Sequence, residues 1–404
     1  IVLPYARASI VREINKARHN FFYSIFLLAL TGLLGIVATG DAFNIYVFME
    51  IASLASYVLI ALGPSGRSRT AAFQYLIIGT IGATFLLIGI GLLYMVTGSL
   101  NISDMSSKLI NATDMRPIYA AFAFILVGLI IKLALFPLHI WLPNAYTYAP
   151  TAISAFLAAS ATKVGAYVIL RFVFTLFGYE LSFEQMRLTE ILMPLALIAI
   201  FVGSAVAIFQ SNLKRLFAYS SIGQIGYLAL GISFASSTGL TGAIVHIFNH
   251  ALIKGGIFLA LGCIIFRTGS MNISALTGLG RRMPYTTAGL LVGGLGLIGI
   301  PGTAGFVSKW YLIKAALELD LWPIALLVLI GSLLALIYVG RVIEAAYFAK
   351  PGQNIDSIQI KEAPWHMVLP TWILIAASLY FGIHTDITIG ISELAATSLL
   401  GNLQ

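Results

Sequence analysis

The sequence predicts an all-α, polytopic membrane protein, and two observations carry that prediction. Its 404 residues are 59% hydrophobic and only 9% charged, whereas about a quarter of the residues in a soluble domain are charged. Apolar runs of about 20 residues, the length that crosses a bilayer as a helix, recur along the whole chain. The composition therefore excludes a water-soluble fold.

Eleven spans are predicted from apolar runs that are bounded by polar residues, Gly or Pro. The segment 1–20 precedes them as the end of an earlier helix and a cytoplasmic loop, and we expect a further N-terminal piece ahead of Ile1. In chain order the spans cover 21–40, 42–62, 71–97, 117–137, 151–177, 191–210, 216–236, 241–266, 286–315, 322–348 and 365–385.

The loop charges orient the chain, because basic residues concentrate on the cytoplasmic side of a membrane protein. Assigning alternate loops to alternate sides places only Lys108, Arg116 and Arg187 in one set. The net charge of +8 thus lies in loops rather than on one face of a soluble domain, so no nucleic-acid partner is expected. The other set, predicted to be cytoplasmic, holds Arg7, Arg12, Lys16, Arg18, Arg67, Arg69, Lys214, Arg215, Arg267, Arg281, Arg282, Lys350 and Lys361.

Two of the predicted spans are interrupted. Span 117–137 runs into Pro137, and span 286–315 contains Pro301 within "GIPGTAGF". A proline removes a helical hydrogen bond and leaves a carbonyl that must be satisfied inside protein or in a wet cavity. Lys132 precedes the first break and Lys309 follows the second. Two broken helices five spans apart indicate an inverted-repeat transporter with its pathway at mid-membrane.

Seven ionisable side chains within or beside the predicted spans are candidate functional residues. A charge at the bilayer centre costs about 2.5 to 3.5 kcal/mol, so a set of such residues requires an explanation. The lysine of the first break is the expected partner of the glutamate, either in a switch or in a static ion pair. The candidates are Glu50, Lys132, Lys163, His246, His250, Lys254 and Lys309.

The segment "VHIFNHALIKGG" places His246, His250 and Lys254 four residues apart, on one face of a helix. Such a polar stripe is typical of a proton relay. A metal site is an alternative, although neither an adjacent glutamate nor a second histidine cluster accompanies the two histidines. A structural role, with neutral and hydrogen-bonded imidazoles, is the other alternative.

A role in proton transfer would explain why these residue types occur together in the predicted spans. A lysine has an ordinary pKa of about 10.4, but burial lowers the pKa of an amine and a nearby carboxylate raises it again. A carboxylate that moves towards or away from an amine therefore switches it between holding and releasing a proton. Histidine suits the intermediate positions. The hypothesis is that Lys132 is a proton-loading site that Glu50 tunes.

Five segments together resemble the antiporter-like membrane subunits shared by Mrp-type multisubunit cation/proton antiporters, respiratory complex I and membrane-bound hydrogenases. Within that group the chain is most similar to the D subunit of the Mrp-type antiporter, and Asn144 replaces the aspartate that complex I members carry after "WLP". The segments are "TGDAFNIYVFMEIASLASYVLIALG", "KLALFPLHIWLPNAYTYAPTAISAFLAASATKVGAYVILR", "LKRLFAYSSIGQIGYL", "HIFNHALIKGGIFL" and "GFVSKWYLIKAAL".

The resemblance implies a fold of fourteen helices with two inverted five-helix repeats, of which this chain would contain helices four to fourteen. The repeats would be 21–177 and 191–348, and 349–404 would be a loop, the last transmembrane helix and a tail. It also implies a proton path that enters near the glutamate and the first broken helix, passes Lys163 and the two histidines, and leaves through Lys309. Lys254 would extend the histidine stripe.

The function implied is a proton-translocating subunit of a multisubunit Na⁺/H⁺ antiporter, without catalytic chemistry of its own. The alternative is the equivalent subunit of complex I or a membrane hydrogenase, and a metalloenzyme and a pure scaffold remain as other classes. We expect no cofactor and no metal, since the chain has one cysteine, Cys263. The expected partners are other subunits, protons, Na⁺ and the lipid of a prokaryotic inner (plasma) membrane.

Overall fold

The computed structural model describes residues 1–349 and 360–401. These residues form helices and turns, and no β-strand occurs among them apart from two isolated bridges. The predicted all-α class is therefore confirmed. Lys350 of the basic loop set and parts of the predicted C-terminal segment, 350–359 and 402–404, lie outside the described residues.

Eighteen α-helices follow one another along the described chain, with short 3-10 turns at Lys16–Arg18 and Ile273–Leu276. The first nine are α1 Val2–Glu13, α2 His19–Ala38, α3 Ala42–Ala61, α4 Gly66–Thr97, α5 Ile102–Leu109, α6 Arg116–Leu133, α7 Trp141–Tyr148, α8 Thr151–Ala159 and α9 Ala161–Leu170. The others are α10 Leu188–Ile208, α11 Leu213–Ser233, α12 Ser237–Thr268, α13 Leu279–Arg282, α14 Pro284–Ile298, α15 Ala304–Glu318, α16 Trp322–Ile343, α17 Trp365–Ile383 and α18 Asp386–Leu400.

Ten helical segments in the described part of the chain are long and apolar enough to cross a membrane. They match the predicted spans except for the ninth, 286–315, which consists of α14 and α15. Gly299 ends α14 in the left-handed conformation at φ 86°, which glycine adopts without steric cost. The chain therefore forms a multi-pass membrane protein whose ninth predicted span is interrupted, as the sequence indicated.

The first broken helix ends earlier than predicted. Ala134 adopts φ 60° directly after α6, and the amides of Ala134 and Leu135 close the last turn on Ile131 and Ile130. Pro137 lies in the turn that follows. The predicted span 117–137 is thus four residues too long, because a left-handed cap ends the helix before the proline can. Helix α7, which continues beyond the turn, was not predicted.

Several more elements differ from the sequence prediction. The span predicted at 151–177 is divided at Ser160, where φ −123° and ψ −52° separate α8 from α9, and it ends in a π-helical segment, Arg171–Leu176. Neither Pro nor Gly marks that division. Further π-helical turns occupy Glu180–Gln185 and Glu344–Phe348. The predicted tail forms α18, and α5 lies in a predicted loop.

Each of two helix pairs is flanked by an isolated β-bridge, and the two bridges lie at equivalent positions in the sequence. Bridges join Asp41 to Asn101 around α3 and α4, and Asn212 to Asn272 around α11 and α12. The bridge positions differ by 171 residues in both cases, that is, 212 minus 41 and 272 minus 101. Asp41 and Asn212 each cap the helix that follows, by accepting a hydrogen bond from a backbone amide. This spacing favours the two repeats, 21–177 and 191–348, whose boundaries stay a prediction.

Helix α12 lies at the centre of the second half and packs against α8, α11, α14, α15 and α17. Helix α11 beside it is almost wholly buried. The two halves of the broken span approach closely at Gly305, where a Cβ would lie only 1.9 Å from the carbonyl oxygen of Gly296. This packing surrounds the polar residues of α11, α12 and α15 with protein.

One residue of the predicted cytoplasmic set is not a solvated loop charge. Lys214 lies in the first turn of α11, its side chain is fully buried, and Nζ donates to the carbonyl of Ala149 at 2.8 Å. That carbonyl belongs to the extended link between α7 and α8, and Ser154 Oγ of α8 also donates to it, at 3.4 Å. The prediction that Lys214 is a loop charge is therefore wrong, whereas its cytoplasmic side stays a prediction.

Candidate functional site

The first cluster joins α3 to the end of α6. Nζ of Lys132 donates to Glu50 Oε1 at 2.8 Å and to Ser53 Oγ at 2.9 Å. The lysine side chain is 5% exposed and the glutamate side chain 20%, so the ammonium is buried while the carboxylate lies at the surface of the chain. The structure thus brings together the two residues that the sequence paired.

A cavity of about 30 Å³ adjoins this ion pair. Its lining includes Ser53, Ser56, Tyr75 and Lys132, together with Gly165 from α9. A space of at least about 10–15 Å³ with polar partners can hold a water molecule. The cavity therefore offers a polar space between the first ion pair and the helix that carries the next lysine.

Lys163 lies in the first turn of α9, just after the break at Ser160. Its Nζ donates to the carbonyl of Ala158, at the end of α8, and lies 3.4 Å from Thr162 Oγ1. The side chain is buried, and within the described residues it has no carboxylate at ion-pair distance. The helix interruption provides the acceptor that holds this ammonium.

The two histidines stack on one face of α12, with ring centroids 5.4 Å apart and planes 16° from parallel. His246 Nε2 lies 3.1 Å from the carbonyl of Gln224, which can only accept, so Nε2 carries a proton. Nδ1 lies 2.9 Å from Ser308 Oγ. His250 Nε2 is buried without a partner in the described chain. One imidazole is thus fixed at both nitrogens, whereas the other has a free nitrogen.

Lys254 is fully buried one turn further along α12. Its Nζ donates to the carbonyl of Phe217 at 2.8 Å and to Ser220 Oγ at 2.5 Å. Both partners belong to α11. The histidine stripe therefore reaches Lys254 along the helix face, but the hydrogen bonds of Lys254 lead to the neighbouring helix.

Lys309 lies in α15, the second half of the second broken span. Its Nζ donates at 2.9 Å to the carbonyls of Leu297 and Ile298 and to Ser332 Oγ, and it lies 4.7 Å above the ring of Tyr227. The two carbonyls are the last of α14, where the helix dipole favours a cation. Pro301 lies in the turn beyond them. The Leu297 carbonyl, four residues before Pro301, is thus satisfied by the lysine of the same break.

The candidate residues fall into two groups. Glu50 and Lys132 form the first. In the second, Lys163 interacts electrostatically with both histidines and with Lys254, and His246 interacts with Lys309. Helix α9 connects the groups, since its residues line the cavity beside the ion pair. The described residues contain no group of three or more His, Cys, Asp or Glu side chains that could hold a metal ion.

Sequence reasoning missed the uncharged partners of these groups. Most are hydroxyl or amide side chains buried in apolar helices, and such residues carry no charge to attract notice. The segment "YSSIGQIGY" did contain a signal, because its polar residues recur at helical spacing on α11. The missed residues are Ser53, Ser220, Gln224, Tyr227, Ser308 and Ser332.

Two of the known proteins similar to this chain are subunits of different complexes. It is 44% identical over 356 residues to NADH-quinone oxidoreductase subunit N of Desulforudis audaxviator, and the match covers 87% of this chain and 70% of that protein. It is 30% identical over 391 residues to the D subunit of the Na⁺/H⁺ antiporter of Bacillus subtilis, and that match covers 96% of this chain and 77% of that protein.

The fold is similar to a chain in the structure of the Mrp complex from Dietzia sp., with a TM-score of 0.89, 25% sequence identity, and coverage of 100% of this chain and 81% of that one. The family model described as "NADH:quinone oxidoreductase/Mrp antiporter, TM" matches residues 39–335, the segment that contains all the candidate site residues. The chain belongs to this NADH:quinone oxidoreductase/Mrp antiporter transmembrane family.

Proposed function

We propose that this chain is the proton-translocating subunit of a multisubunit Na⁺/H⁺ antiporter and moves protons through its buried lysines and histidines. The observation that carries the proposal is that four lysines, Lys132, Lys163, Lys254 and Lys309, are buried in membrane helices. In the described chain only Lys132 among them has a carboxylate at ion-pair distance. Buried charges without counter-charges are costly, and in membrane proteins they mark ion pathways.

The proposed path begins at the Glu50–Lys132 pair. A carboxylate 2.8 Å from the ammonium holds a proton on Lys132, and withdrawal of the carboxylate favours its release. The partial exposure of Glu50 leaves that carboxylate free to exchange partners. Protons then pass to Lys163 through the adjoining cavity, and from there through the histidines to Lys309. Pro137 and Pro301 follow the two helix breaks that expose the carbonyl acceptors.

The antiporter subunits among the similar proteins favour Na⁺ as the exchanged cation. The partners would be the other subunits of the complex, and the location would be the inner (plasma) membrane of a prokaryote. The structure of the Mrp complex is consistent with such an assembly, because the similar chain there is one part of a complex.

A second candidate is the equivalent subunit of NADH-quinone oxidoreductase. The 44% identity to a subunit of that enzyme favours it, since this value exceeds the 30% identity to an antiporter subunit. The buried lysines would then carry protons that a redox reaction drives, with no change in the proposed path. The two candidates differ in what drives proton flux.

The test is proton flux in inverted membrane vesicles that contain the complete complex. With an imposed pH gradient, acid inside, added NaCl should dissipate the gradient if the complex is an antiporter, whereas NADH should build one if it is a redox pump. Lys132→Ala and Glu50→Ala should abolish the flux at matched assembly. Full flux in both variants would contradict the proposed path.

A further inference from the structure

Glu362 is a carboxylate outside the proposed path, on the short segment that leads into α17. Its Oε2 accepts hydrogen bonds from the backbone amides of Tyr285 and Thr286, at 2.9 and 3.3 Å. Its Oε1 accepts from the Thr286 hydroxyl and from the amide of Ala363. Tyr285 and Thr286 are the second and third residues of α14. The carboxylate therefore satisfies amides at the start of α14 that have no acceptor within the helix.

Two further side chains fix this end of α14. Arg267, in the last turn of α12, donates from Nε to the backbone carbonyl of Glu362 at 2.9 Å, and its Nη2 donates to the same oxygen. Trp372 Nε1 of α17 donates to the backbone carbonyl of Tyr285 at 3.0 Å. The start of α14 is therefore held between α12 and α17.

The opposite end of α14 provides the backbone acceptors of Lys309. Nζ of this lysine donates to the carbonyls of Leu297 and Ile298, the last two residues of the helix. A negative charge at the first turn and a positive charge at the last turn both complement the helix dipole. Helix α14 has 15 residues and is about 22 Å long, so one side-chain charge stabilises each of two distant ends.

The interior of α14 is intrinsically weak. Glycine is, after proline, the least favourable residue in a helix interior. Close packing requires glycine at two of the positions, because an added Cβ would lie 2.6 Å from Ile257 at one and 2.6 Å from Val339 at the other. Since helix formation is cooperative, loss of the charge at either end should weaken the whole segment. The glycines are Gly289, Gly293, Gly294 and Gly296.

We propose that Glu362 is a positioning residue for Lys309, which it serves through α14 from the predicted cytoplasmic end. By holding the start of the helix, it keeps the carbonyls of Leu297 and Ile298 in place as acceptors of the ammonium. The proposal rests on the proposed proton-translocating function and adds to it a residue one helix length from the path. Each end charge stabilises the helix that the other needs, so the coupling between them is reciprocal.

The test is hydrogen exchange of the α14 amides in the complete complex, measured by mass spectrometry beside proton flux. Glu362→Gln keeps the shape of the side chain and removes its charge. It should raise exchange in the last turn of α14, within residues 294–299, about threefold, and it should lower proton flux by a similar factor. Lys309→Met should in turn raise exchange in the first turn, within residues 285–290, because the coupling is reciprocal.

Glu190→Gln is the matched control. It removes a carboxylate from the first turn of α10, a helix that carries none of the candidate site residues, and this carboxylate is exposed and pairs with Arg187. It should change neither α14 exchange nor flux. If Glu362→Gln prevents assembly, Thr286→Val removes one donor to the same carboxylate and should raise exchange in the last turn in the same direction.

Exchange that rises only in the turn next to each substitution would overturn the positioning role, since Glu362 would then be a local cap. An equal rise in Glu190→Gln would overturn it too. Flux in Lys309→Met separates this result from failure of the proposed function. Full flux with coupled exchange at both ends means that the path fails and the positioning role stands. Abolished flux with local exchange changes means the reverse.

Discussion

Replacing the two members of the Glu50–Lys132 pair by apolar residues should have unequal effects on stability. Glu50→Leu leaves a 5% exposed ammonium with Ser53 Oγ as its remaining hydrogen-bond partner. Removing one partner of a buried ion pair costs about 3–5 kcal/mol. We expect a value of about 3 kcal/mol, since the adjoining cavity of about 30 Å³ gives water access to the charge.

Lys132→Met should cost less, about 1–2 kcal/mol, because the carboxylate that remains is 20% exposed and so is less enclosed by protein than the 5% exposed ammonium. The double variant places two apolar side chains side by side, and buried pairs replaced in this way are often neutral in stability. With single losses of about 3 and about 1–2 kcal/mol and a neutral double variant, the double-mutant cycle should give a coupling energy of about 4–5 kcal/mol.

The free energy of unfolding can be measured by equilibrium unfolding of the purified protein in mixed detergent micelles with increasing sodium dodecyl sulfate. Helix content and tryptophan fluorescence serve as two independent probes, and their coincidence checks two-state behaviour. A coupling energy below about 0.5 kcal/mol would refute the reasoning. So would a larger loss of stability for Lys132→Met than for Glu50→Leu.

Two further predictions concern the second broken span. Gly305→Ala should prevent α14 and α15 from packing, since the added Cβ would lie 1.9 Å from the Gly296 carbonyl oxygen, and should lower the free energy of unfolding by about 3 kcal/mol. Gly340→Ala, whose Cβ meets nothing within 4 Å, should be neutral or slightly stabilising in the same measurement. Ser308→Ala removes the hydrogen bond to His246 Nδ1, worth about 1 kcal/mol, and should lower proton flux about fivefold; unchanged flux would exclude a role for that contact.

Much of the fold could be predicted from the sequence, because membrane spans follow from apolar length alone. The eleven predicted spans correspond to the ten long helices and the divided pair α14 and α15. The ends of the helices were less predictable than their number. Helix α6 ends with a left-handed alanine, Ala134, a conformation for which the sequence gives no signal, and the break at Ser160 has neither Pro nor Gly.

The charged residues of the candidate site could be predicted because each is costly in a membrane, whatever its partners. Their uncharged hydrogen-bond partners could not be predicted, since placing a serine or a glutamine in an apolar helix has no comparable free-energy cost. Ser308 and Gln224 hold His246 from two other helices, and only the packing of α11, α12 and α15 brings them together. The prediction for Lys214 was wrong for the opposite reason. Its position beside a loop indicated a solvated charge, whereas its side chain is buried.

The most direct test of the proposed function is proton flux through the complete complex with Lys309→Met and Lys314→Met compared. Both lysines lie on α15, but Lys309 is buried on backbone carbonyls, whereas Lys314 is about half exposed and pairs with Glu318. If buried lysines carry the protons, Lys309→Met should abolish flux and Lys314→Met should retain it, at equal assembly of the complex. Flux that survives Lys309→Met, or that is lost equally in both variants, would contradict the account.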